Sequence, residues 1–227
     1  MKARVLVYVC CLLVVVVNAS KAVANITVLS ETHRVWGWAH DYAEYTSYDH
    51  TDTVPVTGYC EGWCEFPGYY TGLNSACSTA GNFAVEASIT PGFSLFATLA
   101  GAESTYVFKP DTDWLSISFT GERLGTEDIS TYVTYSLTDL THNNLVDLRS
   151  TVGLPFEYYA VDWQENYVVD PLHEYQLWLK AFNGNNDSGT TFARLQACIY
   201  VIPAPEALVL GLIGAGLLGC LRRFGIL

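Results

Sequence analysis

Positive charge is scarce in this sequence. Its 227 residues hold 11 Lys and Arg against 23 Asp and Glu, a formal net charge of -12. The shortage is worse between the ends. Lys2, Arg4 and Lys21 lie near the start and Arg222 and Arg223 near the finish, which leaves six basic residues (Arg34, Lys109, Arg123, Arg149, Lys180, Arg194) against 22 acidic ones between Asn25 and Ile202, a net of -16. A body this acidic is repelled by phosphate backbones and anionic lipid surfaces, so a nucleic-acid partner is excluded. Its surface suits solubility, or loosely held divalent cations. Also missing are a G-x-S-x-G elbow, an H-E-x-x-H helix and a phosphate-cradling glycine loop, so no standard catalytic motif is available. No long amphipathic helix is legible, and neither an internal repeat nor a low-complexity linker divides the chain. No cofactor or resident metal is expected.

Half the residues are hydrophobic and 14% are aromatic, enough for a packed core. The length suits one domain with terminal appendages. The first appendage spans residues 1–24. Lys2 and Arg4 precede an apolar run from Val5 to Val17, and Ala22-Val23-Ala24 closes the segment. A basic start, an apolar run of about 7–15 residues and a small-x-small site describe a secretory signal peptide handed to a translocon, with Asn25 as the mature N-terminus and a cut after Ala19 as the alternative. The apolar run is short for a bilayer span of about 20 residues. The protein is expected to be exported.

The second appendage covers residues 202–227. Pro203, Ala204, Pro205 and Glu206 precede an uncharged Leu/Gly-rich run from Ala207 to Leu221, then Arg222 and Arg223. Proline blocks helix propagation, the run is long enough to span a membrane from Ile202, and the arginines favour the cytoplasmic side. Gly211, Ala215 and Gly219 would line one helix face and admit a close helix partner. The segment resembles a PEP-CTERM protein-sorting signal of the Pro-Ala-Pro kind. The resemblance implies a membrane-embedded exosortase-type protease that cuts near the proline box. It covers about 25 residues, and two features depart from the pattern: Glu206 follows the prolines, and the basic cluster has two arginines. The implied location is membrane-anchored first, then cell surface or extracellular. A permanent anchor on the periplasmic face is the competing expectation.

Residues 25–201 read as the exported body. Segments rich in β-branched and aromatic residues recur at Asn82–Ile89, Phe93–Leu99, Thr105–Phe108, Trp114–Thr120, Thr131–Thr138, Tyr175–Phe182 and Thr191–Val201. In Tyr175–Ala181 the alternate residues Tyr175, Leu177, Leu179 and Ala181 share one face. Thr90-Pro91-Gly92 and Lys109-Pro110-Asp111 read as breaks, and the stretch from Asn183 to Gly189 as a hairpin turn. Short strands and turn clusters predict an all-β antiparallel sandwich, with a jelly roll as one form. Thr32 to Cys77 reads instead as irregular chain or short edge strands.

Cys60, Cys64, Cys77 and Cys198 remain in the body once the terminal cysteines are set aside. An even count in an oxidising compartment predicts two disulfides, among which Cys60–Cys64 with Cys77–Cys198 is one of three connectivities. His33, His40 and His50 with Asp41, Asp49 and Asp52 fit no ligand spacing. Asn183, Asn185 and Asp187 start like a calcium loop but lack its glycine and closing acid. Dense aromatics offer a stacking surface for sugar rings, with Trp36, Trp38, Trp63, Tyr69 and Tyr70 as candidate contacts. The expected role is a non-catalytic surface or matrix protein, with adhesion to exopolysaccharide as its contact. A secreted carbohydrate-binding or carbohydrate-active protein is the alternative.

Overall fold

The computed structural model describes residues 26–40, 45–66, 69–90, 98–125, 131–154, 158–185 and 190–201. The signal peptide, the proline box, the C-terminal apolar run and Arg222-Arg223 lie outside these residues.

The described chain is all β, with twelve strands: β1 Ile26–His40, β2 Tyr45–Asp52, β3 Val56–Phe66, β4 Tyr69–Gly81, β5 Ala84–Thr90, β6 Thr98–Pro110, β7 Trp114–Leu124, β8 Tyr132–Asp139, β9 Asn144–Ser150, β10 Tyr159–Val168, β11 Tyr175–Asn185 and β12 Thr191–Val201. They form two antiparallel six-stranded sheets. The first runs β2-β1-β6-β11-β8-β9 and the second β10-β7-β12-β5-β4-β3. The expected sandwich is the observed fold.

Alternation drives the packing. Leu177, Leu179 and Ala181 of β11 face Ala87 and Ile89 of β5 and Ala193, Leu195 and Ala197 of β12 across a buried interior, to which β7 adds Leu115, Ile117 and Phe119. The Phe119 and Tyr135 rings stack across the sheets at 3.7 Å. The turn between β4 and β5 places Asn82 at φ 51° and Phe83 at φ 55°, the left-handed pair that a two-residue hairpin demands. Phe83 tolerates it through several partners. Its N–H donates to the Tyr106 hydroxyl at 2.6 Å, its carbonyl accepts from Ala197 at 2.8 Å, and its ring stacks on Tyr106 at 4.0 Å.

Three expectations are corrected. Thr32 to Cys77 is not irregular but lies largely in β1–β4, and β1 is an inner strand of its sheet. The stretch after Asn183 does not close a hairpin, because β11 pairs with β6 and β8 while β12 pairs with β5 and β7; the chain crosses between sheets there. The cysteines do not bridge as proposed: Cys60, Cys77 and Cys198 are free.

Strand register explains the free thiols. Cys60 and Cys64 are four residues apart on one strand, about 13 Å of extended chain, beyond the Cα separation of about 7 Å that a disulfide tolerates. Cys77 is level with Ser88, and Ser88 with Phe192, so Cys198 lies two strands away and six residues further along. That offset alone is about 20 Å. Cys60 and Cys77 occupy adjacent strands but opposite faces, Cys60 paired with Ala76 inside and Cys77 with Tyr59 outside.

Candidate functional site

The outward face of the first sheet carries its aromatic and charged side chains in rows. Val35 and Ala39 of β1 point inward and are buried, so Arg34, Trp36 and Trp38 point out. On β11, inward Leu177, Leu179 and Ala181 leave Trp178, Lys180 and Phe182 outside.

Register then aligns neighbours. One row runs Trp36, Gly101, Phe182, Tyr132 across β1, β6, β11 and β8. The next runs Arg34, Glu103, Lys180, Thr134, and a third Thr32, Thr105, Trp178, Ser136. Rows on one face are about 6.8 Å apart. Trp36 lies across Gly101, where an added Cβ would be 2.3 Å from its ring. Tyr132 and Phe182 stack at 5.1 Å.

Lys180 sits among the rings. Its Nζ is 5.3 Å from the centre of Trp36, 5.7 Å from Trp178 and 5.9 Å from both Tyr132 and Phe182, and it pairs with Glu103 at 3.1 Å. Cation–π attraction and the carboxylate hold the ammonium where the rings exclude part of its water. Arg34 lies 5.1 Å from the Trp36 ring and makes a two-pronged contact with Asp49 at 3.0 and 2.7 Å. That hydrogen bonding holds the Asp49 carboxyl below the usual carboxylate range. The charges therefore pair locally. The face presents aromatic surface, satisfied ions and the hydroxyls of Thr32, Thr105 and Ser136, the chemistry that a polyhydroxylated chain can stack on and hydrogen-bond to.

Of the five aromatics expected to meet sugar, Trp36 and Trp38 lie on this face. Trp63, Tyr69 and Tyr70 belong to the β3–β4 pair at the edge of the other sheet, and their side chains lie outside the described residues. Trp178, Phe182, Tyr132 and Lys180 escaped the sequence reading, although the period-two pattern that put Leu177 and Leu179 inside puts Trp178 and Lys180 outside. Further along the chain, Tyr159 and Trp163 pack against the core, while Tyr158 is exposed and donates to Glu122 at 2.5 Å.

The second sheet's outer face has an open hollow of about 600 Å³ lined by Thr79, Glu86, Thr120, Glu122, Arg194 and Gln196, among others. Arg194 pairs with Glu122 there. The grouped histidines separate in the fold. His33 is fully buried on β1 with Nδ1 3.0 Å from Ser104 Oγ, His50 is exposed on β2, and the His40 side chain and Asp41 lie outside the described residues. Asn183 is buried and accepts from the Thr131 hydroxyl at 2.9 Å, which occupies it structurally; residues 186–189 are outside the described chain. A different set converges: Asp139, His142 and His173 bring their ligand atoms within 4.8 Å of one another.

No family model matches the chain, and no curated protein does. Solved structures give distant likenesses. The enzymatically active domain of Bacteriophage CBA120 tailspike protein 4 aligns over 75% of this chain at 13% identity and a TM-score of 0.29, and the match spans 19% of that chain. The CBM22-1 xylan-binding domain of Paenibacillus barcinonensis Xyn10C aligns over 67% of this chain and 88% of its own, at 12% identity and a TM-score of 0.27. A carbohydrate-binding module of the beta-sandwich superfamily aligns over 78% and 87%, at 9% identity and a TM-score of 0.25. Scores below 0.5 carry no inference about function, which has to come from the site.

Proposed function

We propose that this protein is an exported, non-catalytic surface or matrix protein that adheres to polysaccharide through the outer face of its first sheet. The observation that carries the reading is the register of Trp36, Phe182 and Tyr132 in one row and Trp178 two rows away, with Lys180, Glu103 and Arg34 between them. Flat rings stack on the apolar faces of sugar rings, and the ions between them hydrogen-bond to hydroxyls. An open face suits a chain better than a small molecule, which prefers an enclosing cavity. Because the charges are already paired, the preferred glycan is neutral.

Retention of the full chain on immobilised neutral polysaccharides tests the reading. Trp36→Ala and Trp178→Ala should each weaken retention about tenfold or more, a loss of about 1.4 kcal/mol or more. Trp114→Ala, at the start of β7 in the other sheet, should leave it unchanged. Retention unaffected by both tryptophan changes sinks the proposal, and release of sugar fragments would make the protein an enzyme.

The same reading has the signal peptide cut before Asn25 and the Pro203–Glu206 box cut by an exosortase-type protease. Intact mass of the protein from membranes and from medium decides this. A species ending near the box supports processing; a full-length C-terminus confined to membranes makes the segment a plain anchor.

A further inference from the structure

Two connections meet at one end of the first sheet. The β8–β9 turn follows Asp139, and the β10–β11 connection brings His173 to the same place. Their backbones are tied: Leu140 N–H donates to the Glu174 carbonyl at 2.8 Å, and Glu174 N–H donates to the Thr141 hydroxyl at 3.0 Å. The Asp139 carboxylate is oriented before any ligand arrives. Its Oδ1 accepts from the N–H groups of Thr141 at 2.9 Å and His142 at 3.3 Å, leaving Oδ2 aimed at the imidazoles.

Oδ2 is 3.2 Å from His142 Nδ1 and 3.0 Å from His173 Nδ1. Ligand bonds of about 2.0–2.1 Å around a tetrahedral ion place neighbouring donor atoms about 3.3 Å apart, so these three atoms already stand near coordinating distance. The other nitrogen of His173 supplies a second, independent observation. Its Nε2 is 3.5 Å from Asp170 Oδ2. In the metal-free protein a proton shared between Nδ1 and Asp139 Oδ2 at 3.0 Å holds the two atoms together. A cation at Nδ1 would take that proton's place while Asp170 receives the proton on Nε2, the outer-carboxylate arrangement that orients a metal-bound imidazole. Asp170 is itself fixed, since its Oδ1 accepts from Leu172 N–H at 2.8 Å and its carbonyl from His173 N–H at 3.0 Å.

We propose that Asp139, His142 and His173 form a binding site for one divalent first-row transition ion, with Asp170 as the outer carboxylate that orients His173. Two imidazoles and one carboxylate suit Zn²⁺, and Co²⁺ as its spectroscopic substitute, better than Ca²⁺ or Mg²⁺, which want oxygen donors. The His142 side chain is 63% exposed while His173 is 20% and Asp139 12%. The site is therefore anchored on the protein side and open on the other, with room for solvent to complete the coordination. The ion joins the β8–β9 turn to the β10–β11 connection. This site is independent of the sugar-binding reading.

The test uses the full chain, purified with chelator and titrated calorimetrically with Zn²⁺ and spectroscopically with Co²⁺. One equivalent should bind, Co²⁺ should show visible bands intensified by tetrahedral coordination, and Zn²⁺ should raise the melting temperature. Asp139→Asn keeps the acceptor for the turn N–H groups but removes the charge, and His142→Ala alters an exposed side chain. Each should weaken Zn²⁺ at least tenfold and abolish the Co²⁺ bands while leaving the metal-free melting temperature within a few degrees. Cys60→Ser should change neither. No binding, or binding unchanged in Asp139→Asn and His142→Ala, overturns the proposal; so does loss of the site in Cys60→Ser.

Discussion

Trp36 rests flat against Gly101, on the strand beside its own, so closely that a Cβ at residue 101 would stand 2.3 Å from the indole. Glycine is therefore what lets the ring lie down on the sheet. Gly101→Val should lift Trp36 and break the row it forms with Phe182 and Tyr132. Because the change is on the outer face, the expected melting temperature falls by only a few degrees, whereas polysaccharide retention falls about as far as in Trp36→Ala. If Gly101→Val binds like wild type, the flat placement of Trp36 is irrelevant to adhesion.

Lys180 and Glu103 hold one another at 3.1 Å with side chains 20% and 23% exposed. Partial shielding and the four surrounding rings put this pair at the upper end of the range for surface ion pairs. Lys180→Met keeps much of the packing and removes the charge. A double-mutant cycle with Glu103→Gln, read by denaturant unfolding, should give a coupling of about 0.5–1 kcal/mol. A coupling of zero would mean that the rings alone hold the lysine.

How much of this was legible beforehand differs from strand to strand. β11 was readable because Tyr175, Leu177, Leu179 and Ala181 recur every second position on the buried face, and β12 because Ala193, Leu195 and Ala197 alternate with the polar Arg194 and Gln196. β1 was not, since its pattern is inverted. Its inner face carries His33, Val35, Gly37 and Ala39, small or polar, while Arg34, Trp36 and Trp38 lie outside. Gly37 and Gly58 also leave room for the Tyr48 ring, which an added Cβ would meet at 2.7 and 2.1 Å. That contact runs between strands and has no local signature. β9 and β10 were missed for a related reason, as both are edge strands with many exposed positions. The Asp139, His142 and His173 cluster joins residues 34 positions apart, and spacing alone could not bring them together.

Free thiols give a third prediction. Burial pushes the Cys60 and Cys77 thiols above the ordinary cysteine range, so both should react slowly in the native state. Unfolding without reductant should expose Cys60, Cys77 and Cys198 to alkylation, identifiable by peptide mass. Addition of reductant should leave the melting temperature unchanged. A drop of several degrees on reduction would reveal a structural bridge and contradict the strand register.

The fourth prediction concerns acid. Asp147 on β9 accepts hydrogen bonds at 2.7 Å from both Tyr135 on β8 and Tyr167 on β10, so one carboxylate joins the free edges of the two sheets. Burial alone would raise its carboxyl, but the two phenols, the Leu148 N–H and Arg149 together hold it below the usual range. A depressed folded value means that this stabilisation is fully present above the carboxyl's ordinary titration, near pH 4, and is lost as pH falls through the lower folded value. The tyrosines act at the other flank. Burial raises both phenols, so their share is intact below about pH 10 and declines above it, where the unfolded chain ionises first. Asp147→Asn keeps the shape and removes the charge. It should cost up to about 1.5–3 kcal/mol at pH 7, the range for hydrogen bonds to a charged group. It should also flatten the fall in stability below about pH 4, because the variant has no carboxylate there to protonate. Denaturant midpoints measured across that range check both parts. A variant curve parallel to wild type would show that the acid sensitivity originates elsewhere among the carboxylates, and that Asp147 only fills the seam between β9 and β10.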